Sequence, residues 1–142
     1  MNVKIKKISS LAIVPKYAHE GDAGMDIFSV MDKKIAPGTS ALIGTGIALE
    51  IPQGYEVQVR PRSGLALKNG ITVLNSPGTI DSGYRGEIGV ILINHGQDDF
   101  IVTKGMKIAQ LVFAKYETAS LVLVEELNES QRRANGFGST GV

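Results

Sequence analysis

The stretch IALEIPQGYEVQVR (residues 47–60) decides the fold, because apolar and polar side chains alternate in it on both sides of a turn signal. The segments Ile47–Ile51 and Tyr55–Arg60 each show this period of two. Successive side chains of a β-strand point to opposite faces, so the alternation is typical of half-buried strands. Pro52-Gln53-Gly54 between them is a turn signal. The stretch therefore predicts two strands separated by a turn.

Outward from this stretch, the apolar runs IGVILIN (Ile88–Asn94) and KIAQLVF (Lys107–Phe113) predict strands buried on both faces. Turn signals recur between the runs at the spacing of an all-β sandwich, jelly roll or barrel. One short helix is predicted at Gly64–Lys68, with Ser63 as its N-cap and Asn69-Gly70 closing it. We therefore expect an all-β fold, a distorted jelly roll or β-barrel of short strands with one short helix.

The last part of the chain, NESQRRANGFGSTGV (residues 128–142), differs in composition from the rest. It contains no leucine, isoleucine or valine before Val142, so it cannot bury itself against a core. The predicted organisation is a β-barrel domain at residues 1–128 and a flexible C-terminal arm at residues 129–142.

Composition excludes several function classes. The chain of 142 residues contains no cysteine, which removes thiolate chemistry, and His19 and His95 lack the spacing of zinc ligands. A net charge of +1 without a basic block argues against direct nucleic-acid binding. No apolar run is long enough to span a membrane, and Pro15 ends the N-terminal apolar stretch without a cleavage pattern. We expect a cytoplasmic protein that does not associate with membranes.

Four stretches are specialised enough to carry chemistry. DAGMDIFS (22–29) places two carboxylates around a glycine, and PRSGLALKNG (61–70) places an arginine and a hydroxyl at a helix start, where free N–H groups favour an anion. NSPGTIDSGYRGE (75–87) is a compact polar loop, and NGFGSTG (135–141) is similar to a phosphate cradle without the lysine of a Walker loop. Taken singly, each also fits a purely structural reading: a polar turn, a helix cap, an Asx turn and a flexible tail.

Taken in order, these stretches resemble the motifs of the trimeric deoxyuridine triphosphatases (dUTPases). AGMDI (23–27) corresponds to the first motif, KGMKIAQLVF (104–113) to the fourth, and the resemblance runs from about Pro15 to Gly141. It implies hydrolysis of dUTP to dUMP and pyrophosphate by attack of water at the α-phosphate. This reaction keeps uracil out of DNA and supplies dUMP for thymidylate synthesis. The resemblance also implies Mg²⁺ as cofactor and a homotrimer whose active sites are shared between subunits.

The resemblance assigns a role to individual residues. Asp81 would activate the attacking water and contact the 3′-hydroxyl, Tyr84 would stack beneath the sugar and exclude a 2′-hydroxyl, and Asn75 would help to fix the uracil. Asp26 would meet the magnesium through its water shell. The triphosphate would be held by Arg62, Ser63, Gly64 and Gln110. The arm would close over the nucleotide with Arg132, Phe137, Gly138, Ser139 and Thr140.

The chemistry of the residues agrees with this assignment. Attack of water between the α- and β-phosphates needs positioning and charge neutralisation more than covalent machinery. Without a cysteine or a suitable histidine, a carboxylate is the remaining candidate for the base, and Asp81 lies in the glycine-rich loop. We interpret Gly78–Val90 as a hairpin in which Gly89 lets the main chain approach the edge of uracil. Cytosine would present the wrong donor there, and the methyl group of thymine would collide.

Two departures from the family pattern affect neighbouring functions. Gly105-Met106-Lys107 replaces the usual Gly-Asp-Arg, which removes one carboxylate, changes one cation and puts a local ion pair in question. Arg132-Arg133-Ala134-Asn135 replaces a glycine-rich lead into the arm, which bears on the arm's flexibility. Neither touches the candidate base.

Two other functions stay open at this stage. A dCTP deaminase shares this kind of β-fold, but it would need further acid/base groups around the pyrimidine amine, and the loop offers no surplus carboxylate. A non-catalytic nucleotide-binding module is disfavoured by Asp81 and by the intact GFGSTG segment. Pyrophosphate release from dUTP distinguishes all three.

Overall fold

Short strands make up most of the regular structure in the computed structural model, which describes residues 1–141. The all-β class with one short helix is confirmed. The elements are β1 (Lys4–Lys7), β2 (Met25–Phe28), β3 (Lys33–Ile35), β4 (Ser40–Gly44), β5 (Ile47–Glu50), β6 (Tyr55–Arg60), α1 (Ser63–Asn69), β7 (Ile71–Val73), β8 (Gly78–Ile80), β9 (Gly89–Asn94), β10 (Phe100–Val102) and β11 (Lys107–Lys115).

The strands form antiparallel sheets in which neighbours in sequence are often not neighbours in space. One sheet has the order β2-β11-β6-β8, a second has β4-β9-β7, and β1-β5 and β3-β10 form two-stranded pairs. The two strands of the stretch 47–60 are both present, but β5 pairs with β1 whereas β6 pairs with β11 and β8. Strands that change sheet in this way are typical of a jelly roll, in which strands from two sheets enclose one core.

The core consists of aliphatic side chains from the inner faces of the sheets. Val57 of β6, Leu92 of β9 and Leu111 of β11 are among the residues with almost no exposed surface. On β9, however, Ile91 and Ile93 stay half-buried between buried neighbours. The prediction of burial on both faces is therefore wrong for this strand in the single chain, because an antiparallel strand that covers a core on one side leaves its other side open.

The helix α1 begins at Ser63, one residue before the predicted start at Gly64. Arg62 is the N-cap residue, with extended backbone angles and no side-chain cap, and Ser63 is already helical. The prediction of Ser63 as N-cap is thus wrong, and its hydroxyl is not committed to the helix. Gly70 closes the helix in the left-handed conformation at φ 66°, as predicted, and its N–H donates to the carbonyls of the last turn.

The chain after Lys115 contains no helix or strand in the part that the structure describes. Leu121, Leu123 and Leu127 in this tail are 94%, 99% and 87% exposed. Regular structure ends well before the predicted boundary between residues 128 and 129, and that boundary stays a prediction. No helix within residues 1–141 has the length and apolar character needed to cross a bilayer.

Candidate active site

A cavity of about 520 Å³ opens where β2, β6 and β11 lie side by side, and we call it the cationic cavity. The strand register pairs Gln110 of β11 with Asp26 on one side and with Arg60 on the other. Cross-strand partners point to the same face of a sheet, so these three side chains form a row. The polar and charged residues that line the cavity are Asp22, Asp26, Arg60, Arg62, Ser63, Lys107 and Gln110, together with the glycines Gly24 and Gly64.

Two cations hold the carboxylate of Asp26. Its Oδ2 lies 2.7 Å from Lys107 Nζ and its Oδ1 lies 3.4 Å from Arg62 Nε, while only 14% of the side chain is exposed. The replacement of the usual arginine by lysine thus keeps an ion pair at this position. Among the lining side chains, Arg60, Arg62 and Lys107 outnumber the two aspartates by one charge, so the cavity favours an anion.

The position of Gln110 depends on a glycine. Its Nε2 donates to the carbonyl of Pro61 at 3.0 Å. Its Oε1 occupies the space that a Cβ at Gly24 would need. Only glycine at position 24 therefore leaves the Gln110 amide where it lies, at the centre of the row.

Arg60 and Lys107 line the cavity but were absent from the sequence-based set of site residues. Arg60 is held by Gln58, whose Oε1 accepts from Nε at 3.0 Å and from Nη2 at 2.6 Å. In the sequence, Arg60 directly precedes PRSG (61–64) and Lys107 begins KIAQ (107–110), and these positions could have indicated both residues. Only the strand register shows that both face the same cavity as Gln110.

A second cavity of about 220 Å³, which we call the loop cavity, is formed by the connection between β8 and β9. Asp81, Tyr84 and Gly89, three of the predicted site residues, line this cavity together. The backbone N–H of Tyr84 donates to the carbonyl of Asp81 at 3.0 Å, and the Tyr84 hydroxyl donates to the carbonyl of Glu87 at 2.9 Å. These bonds fold the loop so that the tyrosine ring and the carboxylate share one concave surface.

The loop cavity does not lie in a hairpin, and that prediction is wrong. β8 pairs with β6, whereas β9 pairs with β4 and β7. The connection therefore crosses from one sheet to another. Ile88 is fixed at the crossing, because its N–H donates to the carbonyl of Ile47 and its own carbonyl accepts from the Thr45 hydroxyl. The register of β9 is that of its pairing with β4 and β7 and is independent of β8.

Gly89 lies exposed at the rim of the loop cavity. A Cβ added at Gly89 would come within 2.6 Å of Leu42 Cδ1, the end of a side chain that is itself 64% exposed. Asn75 is not among the residues that line this cavity. It lies beside Gly78, at 3.4 Å from its Nδ2 to a Cβ built there.

The predicted arm residues reach neither cavity within residues 1–141. Phe137 is fully exposed, and Arg132 Nε donates within the arm, to the carbonyl of Asn135 at 2.9 Å. The structure of a single chain therefore leaves Arg132, Phe137, Gly138, Ser139 and Thr140 away from the other candidate residues.

The two cavities are separated within the chain and have no lining residue in common. Arg60 ends β6 at the cationic cavity, whereas Ile80, next to Asp81, pairs with Val57 of the same strand. A rise of about 3.3 Å per residue puts these positions about 10 Å apart along β6. One chain thus carries two separate cavities, one lined by cations and one with a carboxylate and an aromatic ring.

Comparisons with known proteins place this chain among relatives of one activity. The sequence model of the dUTPase family matches residues 11–141. A deoxyuridine 5′-triphosphate nucleotidohydrolase of Alkaliphilus metalliredigens is 62% identical over 141 residues, which cover 99% of this chain and 98% of the relative. The corresponding enzyme of Clostridium acetobutylicum is 62% identical over 142 residues, which cover 100% of this chain and 98% of the relative.

Solved structures agree with the sequence relatives. The dUTPase of Staphylococcus bacteriophage 80alpha with dUpNHpp superimposes with a TM-score of 0.93 at 31% identity, covering 99% of both chains. A mutant dUTPase of phage phi11 of S. aureus, described for the coordination of a structural Mg(II) ion, gives a TM-score of 0.83 at 28% identity, covering 89% of this chain and 98% of that one.

Proposed function

The chain belongs to the dUTPase family and hydrolyses dUTP to dUMP and pyrophosphate, and from this premise we propose that its two cavities are half-sites, which complete each other across subunits of a homotrimer. The observation that carries the proposal is the separation of the cationic cavity from the loop cavity within one chain. The triphosphate would occupy the cationic cavity of one subunit, and the deoxyuridine would occupy the loop cavity of another.

Exposed apolar surface supports an assembly. Leu121, Leu123 and Leu127 of the tail are almost fully exposed, and Ile91 and Ile93 of β9 are only half-buried. Large apolar side chains gathered on a surface favour contact with another chain. A subunit interface would remove these residues from water, and the mass of the native protein in solution, measured by light scattering, tests for the trimer.

A complementation experiment tests the shared site directly. Asp81→Asn damages the loop cavity and Arg62→Ala damages the cationic cavity, so each variant alone should hydrolyse dUTP poorly. After the two are unfolded and refolded together, about a quarter of the sites in random trimers would combine two intact half-sites. Activity should therefore rise well above the sum of the separate variants. Equal amounts of each variant refolded alone and then mixed serve as control, and no gain after joint refolding would place the whole site in one chain.

In the proposed mechanism, the Asp81 carboxylate takes a proton from a water that attacks the α-phosphorus, and pyrophosphate leaves from the opposite side. Arg62, Ser63, Gly64 and Gln110 hold the departing phosphates. Tyr84 lies beneath the sugar, Asn75 helps to position the uracil, and main-chain groups at Gly89 contact its edge. Geometry and charge neutralisation contribute the rest of the rate enhancement.

Magnesium would be held in the cationic cavity mainly by the substrate. Within residues 1–141 no group of three or more histidine, cysteine or acidic side chains is placed to enclose a metal. Mg²⁺ keeps several of its waters and commonly takes few protein ligands besides phosphates, so Asp26 suffices as a partner for its water shell. When bound, the ion neutralises charge on the phosphate oxygens.

The arm at residues 129–142 is proposed to close over the bound nucleotide. Phe137 would cover the uracil, and Arg132, Ser139 and Thr140 would contact the phosphates, with Gly138 (φ 93°) allowing the turn between them. Nearly all of residues 129–141 are exposed in the single chain, so the arm would be able to reach a neighbour's site. We also place the enzyme in the cytoplasm, with the nucleotide pool on which it acts.

Replacing Tyr84 with alanine is expected to raise activity on UTP relative to dUTP by about tenfold, because the ring no longer blocks a 2′-hydroxyl. The measurement is the ratio of kcat/KM for the two nucleotides. Tyr84→Phe is the matched control, since it keeps the ring and loses only the hydrogen bond to the Glu87 carbonyl. An unchanged ratio in the alanine variant, or the same change in both, would remove the ring from this role.

Replacing Gly89 with valine is expected to weaken dUTP binding by roughly tenfold or more, because the side chain crowds the rim that uracil approaches. The added Cβ would first displace Leu42, so Leu42→Ala and the double variant separate two causes. Calorimetry with a non-hydrolysable dUTP analogue should show weak binding in both variants that carry valine. Normal binding after Gly89→Val, or recovery in the double variant, would mean that the glycine only accommodates Leu42.

A further inference from the structure

The proposed mechanism gives no task to two cations of the cationic cavity, Arg60 and Lys107. Gln58 holds the Arg60 guanidinium, whereas Lys107 pairs with Asp26 inside the cavity. The Lys107 side chain is 38% exposed, whereas the Asp26 side chain with which it pairs is only 14% exposed. The lysine is therefore the more solvent-accessible partner of this ion pair. An ammonium has three N–H donors, and its ion pair at 2.7 Å is with a single oxygen, Asp26 Oδ2, so donors remain for another acceptor.

A β-bulge turns this lysine toward the cavity. In a regular strand, residues 107 and 110 would point to opposite faces, because side chains alternate. The pairing of β11 with β2 shifts register between Lys107 and Ala109, and both Ile108 and Ala109 are buried in succession. The extra residue brings Lys107 onto the same cavity as Gln110. Bulges often re-aim a side chain in this way next to active sites.

We propose that Lys107 binds a phosphate oxygen of the nucleotide directly, while Asp26 anchors its ammonium at the cavity. The inference rests on the proposed function, because it assigns the cationic cavity to the triphosphate. Arg62 also contacts the backbone of Lys107, because its Nη1 donates to the Lys107 carbonyl at 3.4 Å. A lysine suits the double task, since its rotatable donors can serve a carboxylate and a phosphate together. An arginine would tend to use its planar fork on Asp26 alone.

The test measures binding of inorganic triphosphate by calorimetry, in EDTA so that no metal takes part. Lys107→Gln should weaken binding by about tenfold or more, the usual effect of losing a charge-assisted hydrogen bond. Lys115→Gln is the matched control, because Lys115 ends the same strand outside the cavity, 5.9 Å from the Tyr55 ring centroid. It should bind triphosphate as the unmodified protein does.

A double-mutant cycle separates direct contact from an effect through Asp26. If Lys107 touches phosphate, Lys107→Gln should still cost several-fold in the Asp26→Asn background. If the lysine acts only by holding Asp26, its removal should have no effect there, and the proposal is overturned. Arg62→Ala identifies failure of the underlying assignment: if this variant also binds triphosphate normally, the cavity is not the phosphate site at all.

A measurement on the unmodified protein covers the case in which Lys107→Gln does not fold. Acetic anhydride labels accessible lysines, and mass spectrometry reports the extent at each one. Saturating inorganic triphosphate should protect Lys107 several-fold and leave Lys115 unchanged. Equal labelling of Lys107 with and without triphosphate would show that its ammonium stays off the phosphate, against the proposal.

Discussion

Replacing Asp81 with asparagine is expected to lower turnover on dUTP by about 10²–10⁴-fold, the usual contribution of a general base. The amide has nearly the same shape but cannot accept the proton of the attacking water. Asp81 is exposed at the loop cavity, so the fold and nucleotide binding should change little. Pyrophosphate release, calorimetry with a non-hydrolysable analogue and a thermal melt measure the three quantities separately.

The control for this variant is Asp98→Asn, which alters another exposed aspartate in a connection away from both half-sites. It should turn over dUTP at the normal rate. Turnover of Asp81→Asn near that of the unmodified enzyme would exclude Asp81 as the base.

Deleting residues 129–142 is expected to reduce kcat/KM for dUTP by a hundredfold or more. Loss of the Phe137 contact alone should cost roughly 1–3 kcal/mol, by analogy with stacking of bases on aromatic side chains. Arg132, Ser139 and Thr140 would leave the phosphates at the same time, and water would enter the site. Stability and assembly should hardly change, because residues 129–141 contain no leucine, isoleucine or valine that could be buried. Kinetics, thermal melting and light scattering measure these effects.

Single substitutions in the arm refine this prediction. Phe137→Ala should reproduce part of the loss, and Arg133→Ala, one residue away from the predicted contacts, should reproduce none of it. Hydrogen exchange across residues 129–141 should slow when the enzyme binds a non-hydrolysable dUTP analogue with magnesium. A truncated enzyme that hydrolyses dUTP as fast as the full chain would show that the arm is not a lid.

Local sequence patterns predicted the strands and the helix, whereas the long-range pairing of strands determined which side chains meet in each cavity. Alternation in Tyr55–Arg60 identifies a strand, and Gly70 identifies a helix end, because both depend on neighbours in sequence. The same reasoning made Ser63 an N-cap, although the backbone is extended at Arg62 and the helix begins at Ser63 itself. It also joined β8 and β9 in a hairpin, although β9 pairs with β4 and β7 in another sheet.

For the same reason, the sequence predicted some residues of the two cavities and missed others. Asp81 and Tyr84 lie in one short loop, so a motif could place them together. Lys107 enters the cationic cavity through a β-bulge that no local pattern shows. Leu42 approaches Gly89 from a strand far away in sequence. Contacts of Arg132 and Phe137 are proposed to form with another subunit, which the single chain does not contain.

The packing of Gln110 against Gly24 restricts which residues can occupy positions 24 and 110 together in related sequences. The Gln110 amide fills the space that any larger residue at position 24 would take. Alanine at 24 therefore requires either a shorter residue at 110 or another conformation of the Gln110 side chain. Aligned relatives should show the two positions changing together. A library that randomises position 24 with Gln110 fixed should return almost only glycine among active clones.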